Sequence, residues 1–266
     1  ATNSTMLTRL LIALLPFGLA FAPPRGLRAA RPQAQATRLY AAADDVSVIL
    51  LAGGTGSRMK ADRPKQFLEL QGKPILEHSL DLFLSLEGVG QLVLVINAEY
   101  RDMFAKYTDA RLVFADPGKE RQDSVKSGFA KCAKSAALIC IHDAARPLVT
   151  PVEITNVLQD ARTHGAAVLG VPMKATVKES EDGQFVLRTV DRSRLWEVQT
   201  PQVITPALLA QGFAKVAAEG LAITDDVSMI EQLGLPVKLT LGEYTNLKVT
   251  TPDDMIVATQ ILDQRK

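Results

Sequence analysis

A short apolar segment followed at once by a glycine-rich turn constrains this chain more than any other feature. Residues 46–51 read VSVILL, an almost continuous apolar run of strand length. Such a run is typical of a strand buried on both faces, as in a parallel sheet. The turn after it contains Gly53, Gly54 and Gly56, whose missing Cβ atoms let backbone N–H groups approach an anion. The segment predicts an α/β fold whose first strand ends at a phosphate-binding turn.

Two cationic residues follow this turn, and the pattern does not match the common phosphate-binding loops. Arg58 and Lys65 could reach one ligand from two sides of the turn. The alternative, a tight turn with two solvated charges, explains the glycines but not both cations. A Walker loop needs GxxxxGK[ST], but Lys65 follows Pro64 and precedes Gln66. The dinucleotide fingerprint GxGxxG fails because Met59 replaces its third glycine, which argues against a dehydrogenase. We therefore interpret the turn as a polyphosphate site of another class.

The first 43 residues differ in composition from the rest of the chain. They contain five arginines, no lysine and no acidic residue, and residues 10–22 form an apolar run too short for a membrane span. An Arg-, Ala- and Pro-rich stretch of transit-peptide character follows that run. Residues 1–43 are predicted to be a bipartite plastid-targeting presequence, disordered or removed, that directs the protein to the chloroplast stroma.

Residues 44–266 are predicted to be one α/β domain with a mildly acidic surface. They contain 25 basic and 29 acidic residues, a net charge of −4, so we expect no nucleic acid and no membrane as partners of the mature form. Cys132 and Cys140 fit no metal motif and are expected to be reduced packing residues.

Strand-length apolar runs alternate with helical patterns, which favours right-handed crossovers and a mostly parallel sheet flanked by helices. The predicted strands after the first are residues 91–96, 111–115, 136–141, 166–172 and 237–241. The predicted helices are residues 74–86, 151–162, 205–219 and 224–233, with further helices beginning near residues 119 and 251.

A second candidate wall for the site begins at Gly118. Gly118, Arg121 and Ser124 lie close to one face at the start of a predicted helix. A helix N-terminus offers unpaired N–H groups and a partial positive charge. An ordinary helix entry with a solvated Ser124 would explain these residues alone, but beside the glycine turn we interpret them as part of a nucleotide pocket.

Asp143 is the candidate metal ligand. It follows the apolar run at residues 136–141, at the carboxyl end of a strand, where ligands gather in open α/β sheets. An unpaired carboxylate there would cost free energy, which a bound cation would offset. Mg²⁺, or another divalent cation, suits a site with few carboxylates and phosphate oxygens. The alternative is an Asp that caps the next turn or pairs with Arg146. His142 is expected to be structural.

Residues 174–192 differ from the core pattern. They alternate apolar and charged residues around Asp182-Gly183, which indicates a hairpin. Because the segment is too polar for a core, we predict an arm that projects from the domain and pairs with a second subunit. Farther along, Thr224 reads as a helix N-cap, and Lys248 brings another cation into an apolar segment.

In this order, these motifs resemble the 2-C-methyl-D-erythritol 4-phosphate cytidylyltransferase family of the non-mevalonate isoprenoid pathway, over residues 46–264. The motifs are LAGGTGSRM, RPKQ, PGKERQDSV, HDAARP, TVDR, TPQ, ITDD and NLKVTTPDD. The resemblance implies a Rossmann-like nucleotidyltransferase fold and a homodimer formed through the arm. It also implies CTP and a polyol phosphate as substrates, with Mg²⁺ as the cofactor.

The resemblance also implies roles for individual residues. Catalysis would involve Arg58, Lys65, Lys248 and Arg192. The nucleotide would be bound by Ala52, Gly53, Gly54, Gly56, Gly118, Arg121, Ser124, Asp143 and Ala144, with Asp143 also holding the metal. The polyol phosphate would be bound by Thr176, Arg192, Thr200, Thr224 and Arg146, with Thr176 and Arg192 supplied by the second subunit.

The chemistry expected of such a site is the joining of two polyanions. A phosphate monoester attacks the α-phosphorus of CTP, so the protein has to supply positive charge rather than a nucleophile. A ribitol-5-phosphate cytidylyltransferase, or another sugar-phosphate nucleotidyltransferase, is the nearest alternative. A regulatory module that binds the nucleotide without turnover is the alternative outside enzymes.

Overall fold

The structure is a computed structural model that describes residues 44–54, 59 and 63–266. Its strands are β1 (Val46–Leu51), β2 (Glu69–Leu70), β3 (Lys73–Pro74), β4 (Val89–Val95), β5 (Leu112–Ala115), β6 (Leu138–Asp143), β7 (Ala166–Pro172), β8 (Val177–Glu179), β9 (Arg188–Val190), β10 (Trp196–Ile204) and β11 (Lys238–Leu241). Its α-helices are α1 (Ile75–Ser85), α2 (Arg121–Phe129), α3 (Pro151–His164), α4 (Pro206–Glu219), α5 (Ser228–Gln232) and α6 (Pro252–Gln264). None of these helices is both long and apolar enough to cross a membrane.

Seven strands form one sheet in the order β11-β7-β10-β6-β1-β4-β5. Strand β10 runs antiparallel to its neighbours β6 and β7, whereas the other four pairs in the sheet are parallel. The predicted mostly parallel sheet is therefore confirmed.

The sequence analysis missed strand β10, which lies inside the sheet. Pro201 interrupts its sequence, and proline lacks the N–H that a ladder needs, so such a segment argues against a central strand. The structure accommodates it with a register shift between Val198 and Gln202.

The sheet is buried on both faces because consecutive residues of its strands point to opposite sides. Val48 and Leu50 pack with α1 and α3, whereas Ile49, between them, packs with α2, α4 and α5. All three side chains are fully buried, which explains the continuous apolar run in the sequence.

The parallel register places several strand ends at one edge of the sheet. Leu51, the last residue of β1, pairs with Val95 on one side and with Asp143 on the other. Val95 in turn pairs with Ala115, the last residue of β5. The glycine turn, Asp143 and the loop after β5 therefore lie side by side.

The predicted hairpin between residues 174 and 192 is confirmed, with β8 paired antiparallel to β9. Asp182 supports its turn by accepting hydrogen bonds from the backbone of Gln184 and Phe185 at 2.8 and 3.0 Å. Phe185 at the tip is 76% exposed.

The predicted start of the helix at Thr224 is wrong. Helix α5 begins at Ser228, because the Asp225 carboxylate, not Thr224, accepts the Ser228 N–H.

Candidate active site

A cavity of about 320 Å³ opens at the carboxyl edge of the sheet. The glycine turn, the start of α2, the end of β6 and the segment before α6 form its walls. The predicted site residues that line this cavity are Ala52, Gly53, Gly54, Lys65, Gly118, Arg121, Ser124, Asp143 and Lys248. Residues from distant parts of the chain thus converge on one cavity, as the sequence predicted.

Close packing against Pro117 explains the glycine at position 53 of the turn. A Cβ atom added at Gly53 would lie 2.3 Å from the Pro117 Cβ, whereas one added at Gly54 would have no neighbour within 4 Å. The turn is held from behind by Gln66, which donates hydrogen bonds from Nε2 to the Ala52 and Gly54 carbonyls at 2.6 and 3.0 Å. No local sequence pattern indicated this role of Gln66, whose side chain is buried.

Four charged side chains form a network across the cavity. The Lys248 Nζ lies 2.5 Å from Asp143 Oδ2, and Arg121 Nη2 lies 3.3 Å from Asp143 Oδ1. Arg121 Nη1 also lies 2.7 Å from Asp226 Oδ1. Two carboxylates and two cations therefore balance one another within the network.

Mutual attraction favours the charged forms of Asp143 and Arg121, whereas burial raises the pKa of the Asp226 carboxyl despite its contact with Arg121. Burial alone would raise the pKa of the Asp143 carboxyl, but Arg121 and Lys248 outweigh burial and hold that pKa well below its usual range. Burial likewise opposes the charge on Arg121, yet Asp226 and Asp143 raise the pKa of its guanidinium. Asp143 is consequently ionised at neutral pH.

Lys65 lies next to Lys248 at the cavity wall. Its Nζ donates a hydrogen bond to the Val249 carbonyl at 2.8 Å, one residue beyond Lys248. This contact brings two cations, 183 residues apart in the numbering, to the same side of the cavity. A polyphosphate bound there would meet both.

The start of α2 forms the opposite wall. A capping box joins Glu120 and Asp123, and Ser124 Oγ accepts a hydrogen bond from the Gly118 N–H at 3.0 Å. A Cβ at Gly118 would lie 2.2 Å from the Asp123 Cβ, so the tight entry requires glycine. The nine-residue helix directs its N-terminal end at the cavity.

Three residues of the predicted site, Ala144, Arg146 and Thr200, lie behind the cavity wall or bury their side chains. Thr200 Oγ1 accepts the Asp143 N–H at 3.2 Å and also contacts His142 Nδ1 at 3.1 Å. The Arg146 guanidinium donates to the Asn246 carbonyl at 2.7 Å, and the Ala144 N–H donates to Leu51. Burial lowers the pKa of His142 to about 4, so His142 is neutral and structural, as expected.

Three predicted substrate-binding residues lie away from this cavity. Thr176 and Arg192 are exposed at the base of the arm, where Arg192 donates a hydrogen bond to the Lys174 carbonyl. Thr224 is exposed in the loop before α5. The predicted residues Gly56 and Arg58 lie outside the described residues.

Asp226 is a second residue that the sequence analysis missed. Asp226 follows the predicted N-cap Thr224 by two residues, yet it is 1% exposed and pairs with Arg121 across the fold. Local sequence carried no sign of this pair, because the two residues are 105 positions apart.

The Asp143 carboxylate has the chemistry that a magnesium ligand needs. Within the described ranges no three His, Cys, Asp or Glu side chains gather as a metal cluster. Mg²⁺ in nucleotide sites often uses only one or two carboxylates, with phosphate oxygens and water completing its coordination. An ionised carboxylate on the cavity wall meets that requirement when a triphosphate is bound.

Comparison with known proteins gives one consistent result. The family model described as 2-C-methyl-D-erythritol 4-phosphate cytidylyltransferase matches residues 46–264. A chloroplastic protein of that name from Oryza sativa subsp. japonica is 50% identical over 83% of this chain and 75% of its own length. The protein of that name from Geobacillus thermodenitrificans is 40% identical over 82% of this chain and 96% of its own length. The crystal structure of the Thermus thermophilus protein, 31% identical, superposes with a TM-score of 0.69 over 82% of this chain and 99% of its own.

Proposed function

The chain belongs to the 2-C-methyl-D-erythritol 4-phosphate cytidylyltransferase family, and we propose that its glycine-lined cavity is where CTP meets the polyol phosphate. The enzyme transfers CMP from CTP to the phosphate of 2-C-methyl-D-erythritol 4-phosphate and releases pyrophosphate. Its product is 4-diphosphocytidyl-2-C-methyl-D-erythritol, a precursor in isoprenoid synthesis. The ribitol-phosphate alternative is not favoured, since the family and its relatives name the methylerythritol substrate.

The observation that carries the site proposal is the gathering of Lys65, Lys248, Arg121 and Asp143 around one cavity beside the glycine turn. The glycine turn and Lys65 would hold the triphosphate, and Gly118, Arg121 and Ser124 would surround the cytosine and ribose. Thr200 would act through Asp143, whose backbone N–H it binds.

The reaction forms one P–O bond and breaks another. A phosphate oxygen of the polyol phosphate attacks the α-phosphorus of CTP, and the bond to the β-phosphate oxygen breaks as pyrophosphate leaves. The attacking phosphate is already ionised near pH 7, so no side chain has to remove a proton. Lys65, Lys248 and Arg58 would reduce repulsion between the two anions and spread the charge of the transition state.

A divalent cation, Mg²⁺ in the simplest case, is proposed to bind Asp143 together with the triphosphate. When bound, it would neutralise phosphate charge. Because Lys248 and Arg121 already contact both Asp143 oxygens, at least one of them would shift toward the nucleotide as the cation binds.

The arm is proposed to join two copies of the chain. Exposed apolar side chains at its tip, Phe185, Val186 and Leu187, support pairing with another surface. Thr176 and Arg192 lie outside the cavity of their own chain, which is compatible with contact to the substrate of a second subunit.

Residues 1–43 are proposed to direct the protein to the chloroplast. The composition of this segment and the chloroplastic rice relative support the proposal.

Pyrophosphate release by the full chain tests the proposed function. The assay combines Mg²⁺ and each of the four NTPs with methylerythritol phosphate or ribitol phosphate. We expect an appreciable rate of pyrophosphate release only when CTP and methylerythritol phosphate are combined. Equal rates with ribitol phosphate would contradict the assigned polyol, and CTP binding without release would indicate a regulatory module.

A further inference from the structure

Arg121 is held by two carboxylates that come from different parts of the chain. Its contact with Asp226, at 2.7 Å, is shorter than its contact with Asp143, at 3.3 Å. Asp226 is buried, and its side chain reaches Arg121 from the loop before α5. The guanidinium is therefore shared between the predicted metal ligand and a residue that lies outside the cavity lining.

Asp226 is itself fixed to the sheet. The Oε1 atom of Gln202, a buried residue of β10, accepts hydrogen bonds from the backbone N–H groups of Asp226 and Val227 at 2.8 and 3.0 Å. Arg121 has a long side chain with many rotamers, and ordering it costs entropy that a rigid, charged acceptor can offset. These bonds hold the backbone of the loop and so fix the position from which the Asp226 carboxylate meets Arg121.

Without Asp226, the remaining carboxylate partner of Arg121 in this network is Asp143, which Lys248 already binds. The guanidinium would then lose the contact that its Nη1 atom makes with Asp226 and keep only Asp143 as a carboxylate partner in this network. We propose that Asp226 is a positioning residue that keeps Arg121 in place for the nucleotide, an inference that rests on the function proposed above.

The test variant is Asp226→Asn, which keeps the size of the side chain and removes its charge. We expect the Kd for CTP, measured by calorimetry, and the KM for CTP to rise about tenfold, with kcat changed less than about threefold. The matched control is Asp225→Asn, which makes the same substitution one residue earlier in the loop. There the Asp225 carboxylate accepts hydrogen bonds from Gln202 Nε2 at 3.2 Å and from Ser228 N at 3.1 Å. The control should leave the CTP affinity within about twofold.

A double-mutant cycle separates positioning from a general loss of structure. If Asp226 acts through Arg121, adding Asp226→Asn to Arg121→Gln should cause no further loss of CTP affinity. A purely structural role for Asp226 would instead give additive losses, which would overturn the proposal. Unchanged CTP affinity in Asp226→Asn would also overturn it.

Two further measurements keep the test decisive. If Asp226→Asn does not fold, Asp226→Glu moves the carboxylate while keeping its charge. A CTP Kd of Asp226→Glu equal to that of the wild type would then contradict the proposal.

Pyrophosphate release by the wild-type protein is measured in parallel. Its absence would refute the proposed function, whereas the calorimetric cycle would still decide whether Asp226 positions Arg121.

Discussion

At the scale of single residues, Lys248 pairs through its ammonium group with Asp143 on the cavity wall. Under the proposed function, a phosphate entering the cavity would compete for the same charge. The side chain is 39% exposed, so it can turn toward a ligand without unfolding its surroundings.

Replacing Lys248 by Ala should lower kcat about 10²- to 10³-fold, because the charge that develops in the transition state loses one of its partners. Steady-state pyrophosphate release measures this effect, and circular dichroism checks the fold. The exposed Lys134→Ala serves as a control with the same charge change. Turnover of Lys248→Ala close to that of the control would refute the assignment.

The two cysteines should behave as packing residues. Burial raises the pKa of the Cys132 thiol to about 12, and Cys140 is fully buried with its thiol pKa raised as well. Because the reactive thiolate is scarce below its pKa, both thiols should react slowly with a thiol reagent at pH 8 and rapidly after unfolding in guanidinium. Fast reaction of either thiol in the native protein would contradict the packing role of that cysteine.

At the scale of elements, the glycine turn depends on the loop packed against it. Pro117, just after β5, occupies the space where a side chain at residue 53 would begin. Gln66 closes the turn from the other side through the Ala52 and Gly54 carbonyls. The loop after β5 and one buried side chain therefore give the turn its shape before any anion binds.

The variants Gly53→Ala and Gly54→Ala test this packing as a matched pair. Gly53→Ala should lower the free energy of unfolding by about 1–3 kcal/mol, because its Cβ would overlap Pro117. Gly54→Ala, with open space around it, should change that free energy by no more than about 1 kcal/mol. Urea denaturation measures both, and equal effects would show that Pro117 does not constrain the turn.

At the scale of the whole molecule, the arm and the cavity are parts of one proposed dimeric site. Arg192→Ala should raise the KM for methylerythritol phosphate at least tenfold and spare CTP binding, because Arg192 is assigned to the polyol phosphate and not to the nucleotide. Arg188→Ala is the control on the same arm, since Arg188 pairs with Glu179 at its surface. A loss of CTP affinity in Arg192→Ala would contradict this role.

Subunit mixing shows which copy supplies Arg192. Dimers of an Arg192→Ala chain with a Lys248→Ala chain contain one cavity with its own Lys248 and an intact arm from the other subunit. Activity recovered on mixing would support donation of Arg192 by the second subunit. No recovery, with mixed dimers detected by mass spectrometry, would argue against it.

Much of this protein could be predicted because the relevant information is local. The apolar run of β1, the glycines after it and the position of Asp143 at the end of β6 each follow from a few neighbouring residues. A buried parallel strand needs apolar residues on both faces, and a backbone turn around an anion needs glycine, so these features are visible without coordinates.

Only the tertiary structure decided which distant residues meet. The antiparallel β10 lies inside the sheet despite Pro201, the start of α5 lies beyond Thr224, and Gln66 and Asp226 support the site from behind its walls. Arg121 meets Asp226 across 105 positions because α2 and the start of α5 pack in the same hydrophobic cluster on one face of the sheet. Local composition cannot specify such an ion pair, since its free energy depends on burial and on distances that arise only when the whole sheet has formed.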